Sequence, residues 1–118
     1  MTDIVEIFFE AWGETDAEAR AATLRGTLAD AFEYLDPRTA EPVTDAEALI
    51  GYVAMYSEYA PGATAGVVHQ SQTGGHTRAT VEFAMPDGKK QHGQYFIEHD
   101  ADGKLARMIG FVGMGTPE

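Results

Sequence analysis

The apolar residues in the first half of the chain recur every three to four positions, as they do on one face of an α-helix. They predict a first helix that ends near Gly13 and has an apolar face made of Ile4, Val5, Phe8, Phe9 and Trp12. The letters Thr-Asp-Ala-Glu then occur at 15–18 and again at 44–47, and each copy has the pattern of a capping box that starts a helix. We therefore predict a second helix to about Leu28 and a third to about Tyr59.

Alternating apolar and polar residues predict five β-strands. The first lies between the second and third helices and places Phe32, Tyr34 and Asp36 on one face, with Glu33 and Leu35 on the other. Four more follow the third helix and are separated by turn sequences that contain Gly-Gly or Asp-Gly. Their order predicts an antiparallel meander over residues 64–73, 77–85, 89–99 and 104–112.

These elements predict an α+β fold, with three N-terminal helices packed on a curved, mainly antiparallel sheet. The order would be helix, helix, strand, helix and then the four meander strands. Because no linker or low-complexity segment interrupts the pattern, we expect one domain over residues 1–118. In the fourth predicted strand, alternation places Tyr95 with Gly93 and Ile97 on one face and Phe96 on the other.

The net charge of −11, from 19 acidic and 8 basic residues, narrows the range of partners. Such a surface repels phosphate backbones and anionic lipids, so we expect neither nucleic acid nor a membrane as a partner. No apolar run approaches the ~20 residues of a membrane span. Asp3 and Glu6 stand where a signal peptide carries positive charge, and the chain has no cysteine. These features favour a cytoplasmic protein.

Asp36 is the residue whose position first suggests chemistry. On a face shared with Phe32 and Tyr34, its carboxylate would be partly desolvated, which disfavours the ionised form and tunes a carboxylate toward work as a general base. Asp followed by Pro37 is also favourable turn chemistry. A purely structural role in a turn is therefore the alternative interpretation, and the local sequence leaves both open.

The order of elements and the segment 28–37, Leu-Ala-Asp-Ala-Phe-Glu-Tyr-Leu-Asp-Pro, together resemble the nuclear-transport-factor-2-like superfamily. This is the cone-shaped α+β fold of ketosteroid isomerases and SnoaL-like polyketide cyclases. The resemblance covers nearly the whole chain and implies the fold more specifically than the activity, because the fold also hosts dehydratases, epoxide hydrolases and non-catalytic binding proteins. In ketosteroid isomerases the aspartate before that proline shuttles the proton, and Asp36 matches it.

The same resemblance identifies positions for the two donors that hold the enolate in ketosteroid isomerases. The position on the first helix is Phe8 here, which cannot donate a hydrogen bond. The position on the third meander strand is Tyr95, whose phenol could donate to a developing oxyanion. The resemblance thus implies Asp36 and Tyr95 as catalytic residues, and the change at Phe8 argues against a true steroid isomerase.

Aromatic and methionine side chains would line an apolar pocket at the mouth of such a cone, although core packing is their default role. We predict a small acid–base enzyme of the SnoaL-like type that acts on an apolar small molecule without a cofactor. Its predicted substrate-binding residues are Phe8, Trp12, Tyr34, Tyr52, Met55, Tyr56 and Met108.

Two other classes of function stay open. One is a non-catalytic ligand-binding or dimerisation module of the same fold, in which a homodimer would form through the outer sheet face with Phe96 and Val112. The other is a metal-dependent enzyme. We expect no metal, because the histidines share no ligand spacing on one helix or strand, although a site assembled from distant strands is possible. These histidines are His69, His76, His92 and His99.

Overall fold

The structure is a computed structural model that describes residues 3–113. Within this range the helices are α1 (Ile4–Glu10), α2 (Ala17–Thr27) and α3 (Ala46–Tyr59), and a 3₁₀ turn, Ala11–Gly13, follows α1. The strands are β1 (Leu28–Leu35), β2 (Thr64–Thr73), β3 (His76–Ala84), β4 (Lys90–His99) and β5 (Leu105–Val112). None of the helices in residues 3–113 is long and apolar enough to cross a bilayer.

The predicted α+β class and the order of elements are confirmed, but the grouping of three helices at the N-terminus is not. The chain passes from Thr27 directly into β1, so that a strand separates α2 from α3. The predicted threonine caps are also wrong. Asp16 and Asp45 are the N-caps, and their carboxylates accept the amides three residues later. A carboxylate complements the positive end of the helix dipole better than a neutral hydroxyl does.

The five strands form one mixed sheet in the order β1-β5-β4-β3-β2. The meander β2 to β5 is antiparallel, as predicted, whereas β1 pairs with β5 in parallel. The register shifts in the pairings of β1 with β5, β2 with β3 and β4 with β5, and such irregularities bend a sheet and increase its twist. Because β5 lies between β1 and β4, it brings Tyr34 of β1 close to Tyr95 of β4.

The hydrophobic core lies between the helices and one face of the sheet, which we call the inner face. The predicted alternation of β4 is confirmed, because Gly93, Tyr95 and Ile97 are buried whereas Phe96 is 37 % exposed. Val112 pairs with Gly93 in the register of β4 and β5. It therefore shares the side of the inner-face residues and does not lie beside Phe96, contrary to expectation.

Candidate active site

Asp36 directly follows β1, and one of its carboxylate oxygens organises the turn that comes after it. Oδ1 accepts the backbone amides of Arg38 at 2.8 Å and Thr39 at 3.1 Å. The Thr39 hydroxyl in turn donates to the carbonyl oxygen of Asp36 at 3.0 Å. The turn interpretation of Asp-Pro is thus confirmed for one half of the carboxylate, and these bonds fix the orientation of the other half.

The second oxygen of Asp36 is bound by two tyrosines from different elements. Oδ2 accepts the hydroxyl of Tyr34, two residues earlier on the same face of β1, at 2.7 Å, and that of Tyr52 on α3 at 2.6 Å. The hydroxyls of Tyr34 and Tyr95 lie 2.9 Å apart. A phenol has one proton, and Tyr34 gives it to the carboxylate, so Tyr95 must donate to Tyr34. We call these four residues the phenol chain.

Burial keeps the three tyrosines of the phenol chain protonated. It raises the pKa of Tyr34 well above the ordinary value, and the neighbouring Tyr95 and Asp36 add to this rise. The pKa of Tyr52 is raised first by burial and then by the hydrogen bond to Asp36. Burial also raises the pKa of Tyr95, even though the Tyr34 hydroxyl would stabilise a phenolate there. All three tyrosines are therefore hydrogen-bond donors at neutral pH.

These shifts predict a loss of stability at alkaline pH. The folded pKa values exceed the value of about 10 for an unfolded tyrosine, so their contribution is complete below that pH and falls as the pH rises above it. We expect fewer tyrosinates in the native protein than in urea at about pH 11, measured by ultraviolet absorbance. The free energy of unfolding should fall over the same range. Coincident native and denatured titration curves would contradict this prediction.

An aromatic cluster surrounds Trp12, which follows α1 in the 3₁₀ turn and is 3 % exposed. Its ring centroid lies 5.3 Å from Tyr56, 5.8 Å from Phe83 and 6.1 Å from Tyr52. Tyr34 is 6.2 Å away. The two tyrosines that bind Asp36 therefore both pack against the indole ring, so the cluster and the phenol chain are continuous.

The indole nitrogen of Trp12 is buried and has no hydrogen-bond partner among the residues that the structure describes. Most buried N–H groups are paired, because an unpaired one costs about 1–3 kcal/mol in desolvation. Three neighbours are only half-buried and form the edge of the cluster that solvent reaches, namely Tyr52, Tyr56 and Phe83.

The other predicted site residues are divided between the cluster and the rest of the protein. Phe8 packs at 6.2 Å from Trp12, and Met108 is fully buried beside Tyr34 in the register of β5. Met55 is 50 % exposed and lies outside the hydrophobic core, although its helix carries Tyr52 and Tyr56. Substrate binding by these residues stays a prediction.

Sequence reasoning missed two aromatic members of the cluster. Phe9 packs at 4.7 Å from Tyr95, and Phe83 packs at 5.8 Å from Trp12. The signal for Phe83 was its alternation with Val81 and Ala79 on β3, which places it on the inner face. That pattern alone does not distinguish a residue of the site from a residue of the core.

An open groove of about 620 Å³ lies away from Asp36, between α1, α2 and the residue before β5. Its lining includes Ile4, Ile7, Thr27 and Lys104, and none of the predicted site residues contributes to it. This groove is therefore not the apolar pocket that the sequence predicts beside Asp36. The aromatic rings beside Asp36 pack against one another, and a pocket there stays a prediction.

The histidines lie on the sheet, and two of them are paired with carboxylates. His92 is 3.1 Å from Glu82, and His76 is 3.5 Å from Glu98. Within residues 3–113 no three histidine, cysteine, aspartate or glutamate side chains are grouped so that they could hold a metal ion.

Comparison with known proteins identifies the fold. A SnoaL-like family protein from Agrobacterium tumefaciens, described as a proposed isomerase, is 20% identical with a TM-score of 0.84, covering 94% of this chain and 95% of that one. A proposed polyketide cyclase from Sinorhizobium meliloti is 18% identical with a TM-score of 0.73, covering 93% and 94%. A protein of ketosteroid isomerase-like fold from Catenulispora acidiphila, in complex with trimethylamine, is 14% identical with a TM-score of 0.74, covering 97% and 88%.

No protein-family model and no curated protein matches the sequence. The structural likeness, at these low identities, defines the architecture alone. The chain has the fold of the nuclear-transport-factor-2-like superfamily, and its structural neighbours include SnoaL-like and ketosteroid isomerase-like proteins.

Proposed function

We propose that this protein is a small acid–base enzyme of the SnoaL-like type, in which Asp36 takes a proton from an apolar small molecule. The observation that carries the proposal is the phenol chain. Two tyrosine hydroxyls and two backbone amides hold one half-buried carboxylate in a fixed orientation next to an aromatic cluster, and the hydroxyl of Tyr95 supports one of these tyrosines, Tyr34. A general base needs such fixed geometry, because its oxygen must lie within hydrogen-bond distance of the proton that it removes.

For Asp36 to act, Oδ2 must release one of its two donors. Tyr34 is fully buried and its hydroxyl is also bound to Tyr95, whereas Tyr52 lies at the edge of the cluster. Tyr52 is therefore the phenol that gives way to the substrate.

The proposed step is enolisation. The bond between a carbon next to a carbonyl and its hydrogen breaks, the proton passes to Asp36, and the electron pair moves onto the carbonyl oxygen. The now neutral Asp36 returns the proton to the same or another carbon, which regenerates the carboxylate. The neighbours described as a proposed isomerase and a proposed polyketide cyclase support this class of chemistry by analogy of fold. No cofactor is needed for this step.

Deuterium exchange tests the proposal without knowledge of the product. The protein is incubated in D₂O with a panel of apolar ketones that have acidic α-hydrogens, and loss of the α-proton signal is followed by NMR. We expect exchange faster than in buffer for at least one ketone. If exchange stays at the buffer rate throughout the panel, enolisation by Asp36 is wrong.

A non-catalytic binding module is the second candidate, and the saturation of Asp36 favours it. Each oxygen already accepts two hydrogen bonds, which matches the roughly four acceptor sites of a carboxylate. On this alternative the carboxylate only anchors the turn and the two tyrosines. The same ketones would then bind without any exchange of their α-hydrogens.

We also propose that the protein forms a homodimer through the outer face of the sheet. Phe96 is 37 % exposed there, and Phe111, on the same side of the neighbouring strand, is 58 % exposed. Light scattering after size exclusion should give twice the chain mass for the native protein. The variant Phe111→Glu should shift it to the monomer, and a native monomer would contradict the proposal.

A further inference from the structure

The tyrosines around Asp36 have no proton left for a ligand. Tyr34 and Tyr52 donate to Asp36, and Tyr95 donates to Tyr34. The fourth, Tyr56, donates to the carbonyl of Thr64 at 3.2 Å. While these bonds are intact, an oxygen that enters the aromatic cluster would therefore find no free hydroxyl donor among the four tyrosines.

The indole of Trp12 is different. Its N–H is buried and unpaired within the described part of the chain, in a ring packed against the two tyrosines that bind Asp36. Tyr34 and Tyr52 thus each contact the indole ring and also donate to the carboxylate of Asp36. An unpaired buried donor in the same aromatic cluster as a saturated carboxylate is the arrangement expected if a ligand supplies the missing acceptor.

Trp12 is also closely packed. Edge-on contacts with Tyr56 and Phe8 hold the ring on two sides. The turn that carries it is close to β2, because a Cβ atom at Gly13 would lie only 3.2 Å from the methyl group of Thr64. A donor that is already oriented binds an oxygen without the entropic cost of ordering a mobile side chain.

We infer that the indole N–H of Trp12 binds the oxygen of the ligand and so selects its class. The ligand is a flat, apolar molecule with one carbonyl or enolate oxygen, which lies against Trp12 while the adjacent acidic hydrogen faces Asp36. This role adds the oxygen-binding donor to the proposed function and rests on that function for the identity of the base. Binding of the oxygen by Trp12 can be measured whether or not catalysis takes place.

The chain contains one tryptophan, so the protein gives one indole N–H signal in an NMR spectrum labelled with ¹⁵N. The probe is α-tetralone, a bicyclic ketone with an acidic α-hydrogen, and the matched control is tetralin, which lacks the oxygen. We expect α-tetralone to move the indole proton downfield in a saturable way, because a new hydrogen bond deshields it. Tetralin should produce no such downfield shift.

The variant Trp12→Phe keeps an aromatic ring but removes the donor. It should raise the dissociation constant of α-tetralone about tenfold more than that of tetralin, because only the ketone loses one net hydrogen bond. If α-tetralone causes no saturable downfield shift in the native protein, the inference is overturned, and this result does not depend on whether the variant folds.

The two proposals fail in different ways. A downfield indole shift without deuterium exchange would support Trp12 as the oxygen-binding donor and contradict Asp36 as a base. Exchange without the shift would support the base and overturn the role of Trp12.

Discussion

The variant Asp36→Asn should exchange ketone α-hydrogens about 10²–10⁴-fold more slowly than the native protein, which is the usual contribution of a general base. Asparagine has the same shape as aspartate, and its oxygen can still accept hydrogen bonds, but its amide group does not take up a proton at neutral pH. The measurement is the initial rate of α-proton loss in D₂O, with circular dichroism to verify the fold.

Asp45→Asn is the matched control, because it removes the same charge at an exposed site. Asp45 caps α3 through the amide of Ala48, and asparagine is an equally good N-cap. Exchange at the native rate is expected for this variant. If Asp36→Asn also exchanged ketone α-hydrogens at the native rate, the carboxylate would have only the structural role of anchoring its turn.

The variant Gly110→Ala should lower the free energy of unfolding by about 1–3 kcal/mol, the usual cost of overpacking a core. Gly110 on β5 lies directly opposite Tyr95 on β4. A Cβ atom at position 110 would lie 2.7 and 2.8 Å from two carbons of the tyrosine ring. The ring has little room to move aside, because Tyr95 is 4 % exposed and Phe9 packs 4.7 Å away on its centroid.

The same substitution should disturb the site as well as the core. A displaced Tyr95 no longer reaches the hydroxyl of Tyr34, 2.9 Å away, so the phenol chain loses its buried end. Gly66→Ala is the control, since a Cβ atom at this glycine of β2 has open space around it. Urea unfolding and the exchange assay should both distinguish the variants. Equal stability of the two would show that the sheet relaxes around position 110.

Much of this fold could be predicted from the sequence because its signals are local. Alternation and Gly-containing turns define the strands of the meander, and β2 was predicted with its observed bounds. The parallel pairing of β1 with β5 could not be predicted in this way. It joins segments from opposite ends of the chain, and no local pattern specifies which edge of a meander an earlier strand will join.

The candidate site was predictable in part for the same reason. Asp36 could be identified as a candidate because the turn after it and the face it shares with Phe32 and Tyr34 are both encoded within a few residues. Its bond to Tyr52 depends on where α3 lies against the sheet, which helical spacing does not reveal. The unpaired nitrogen of Trp12 depends on the absence of acceptors around it, and such an absence has no sequence signature.

The strand order also has a consequence for synthesis of the protein on the ribosome. Tyr34 and Tyr95 come together only when β5 has entered the sheet between their strands. Until residue 110 has left the exit tunnel, β1 cannot pair with β5. For the same time the hydroxyl of Tyr95 has not yet reached its acceptor, the hydroxyl of Tyr34. Pairing of such distant segments is slow because a long loop must close first. Assembly of the site is therefore a late event, and a newly made chain must keep an uncovered strand edge from associating with other chains until then.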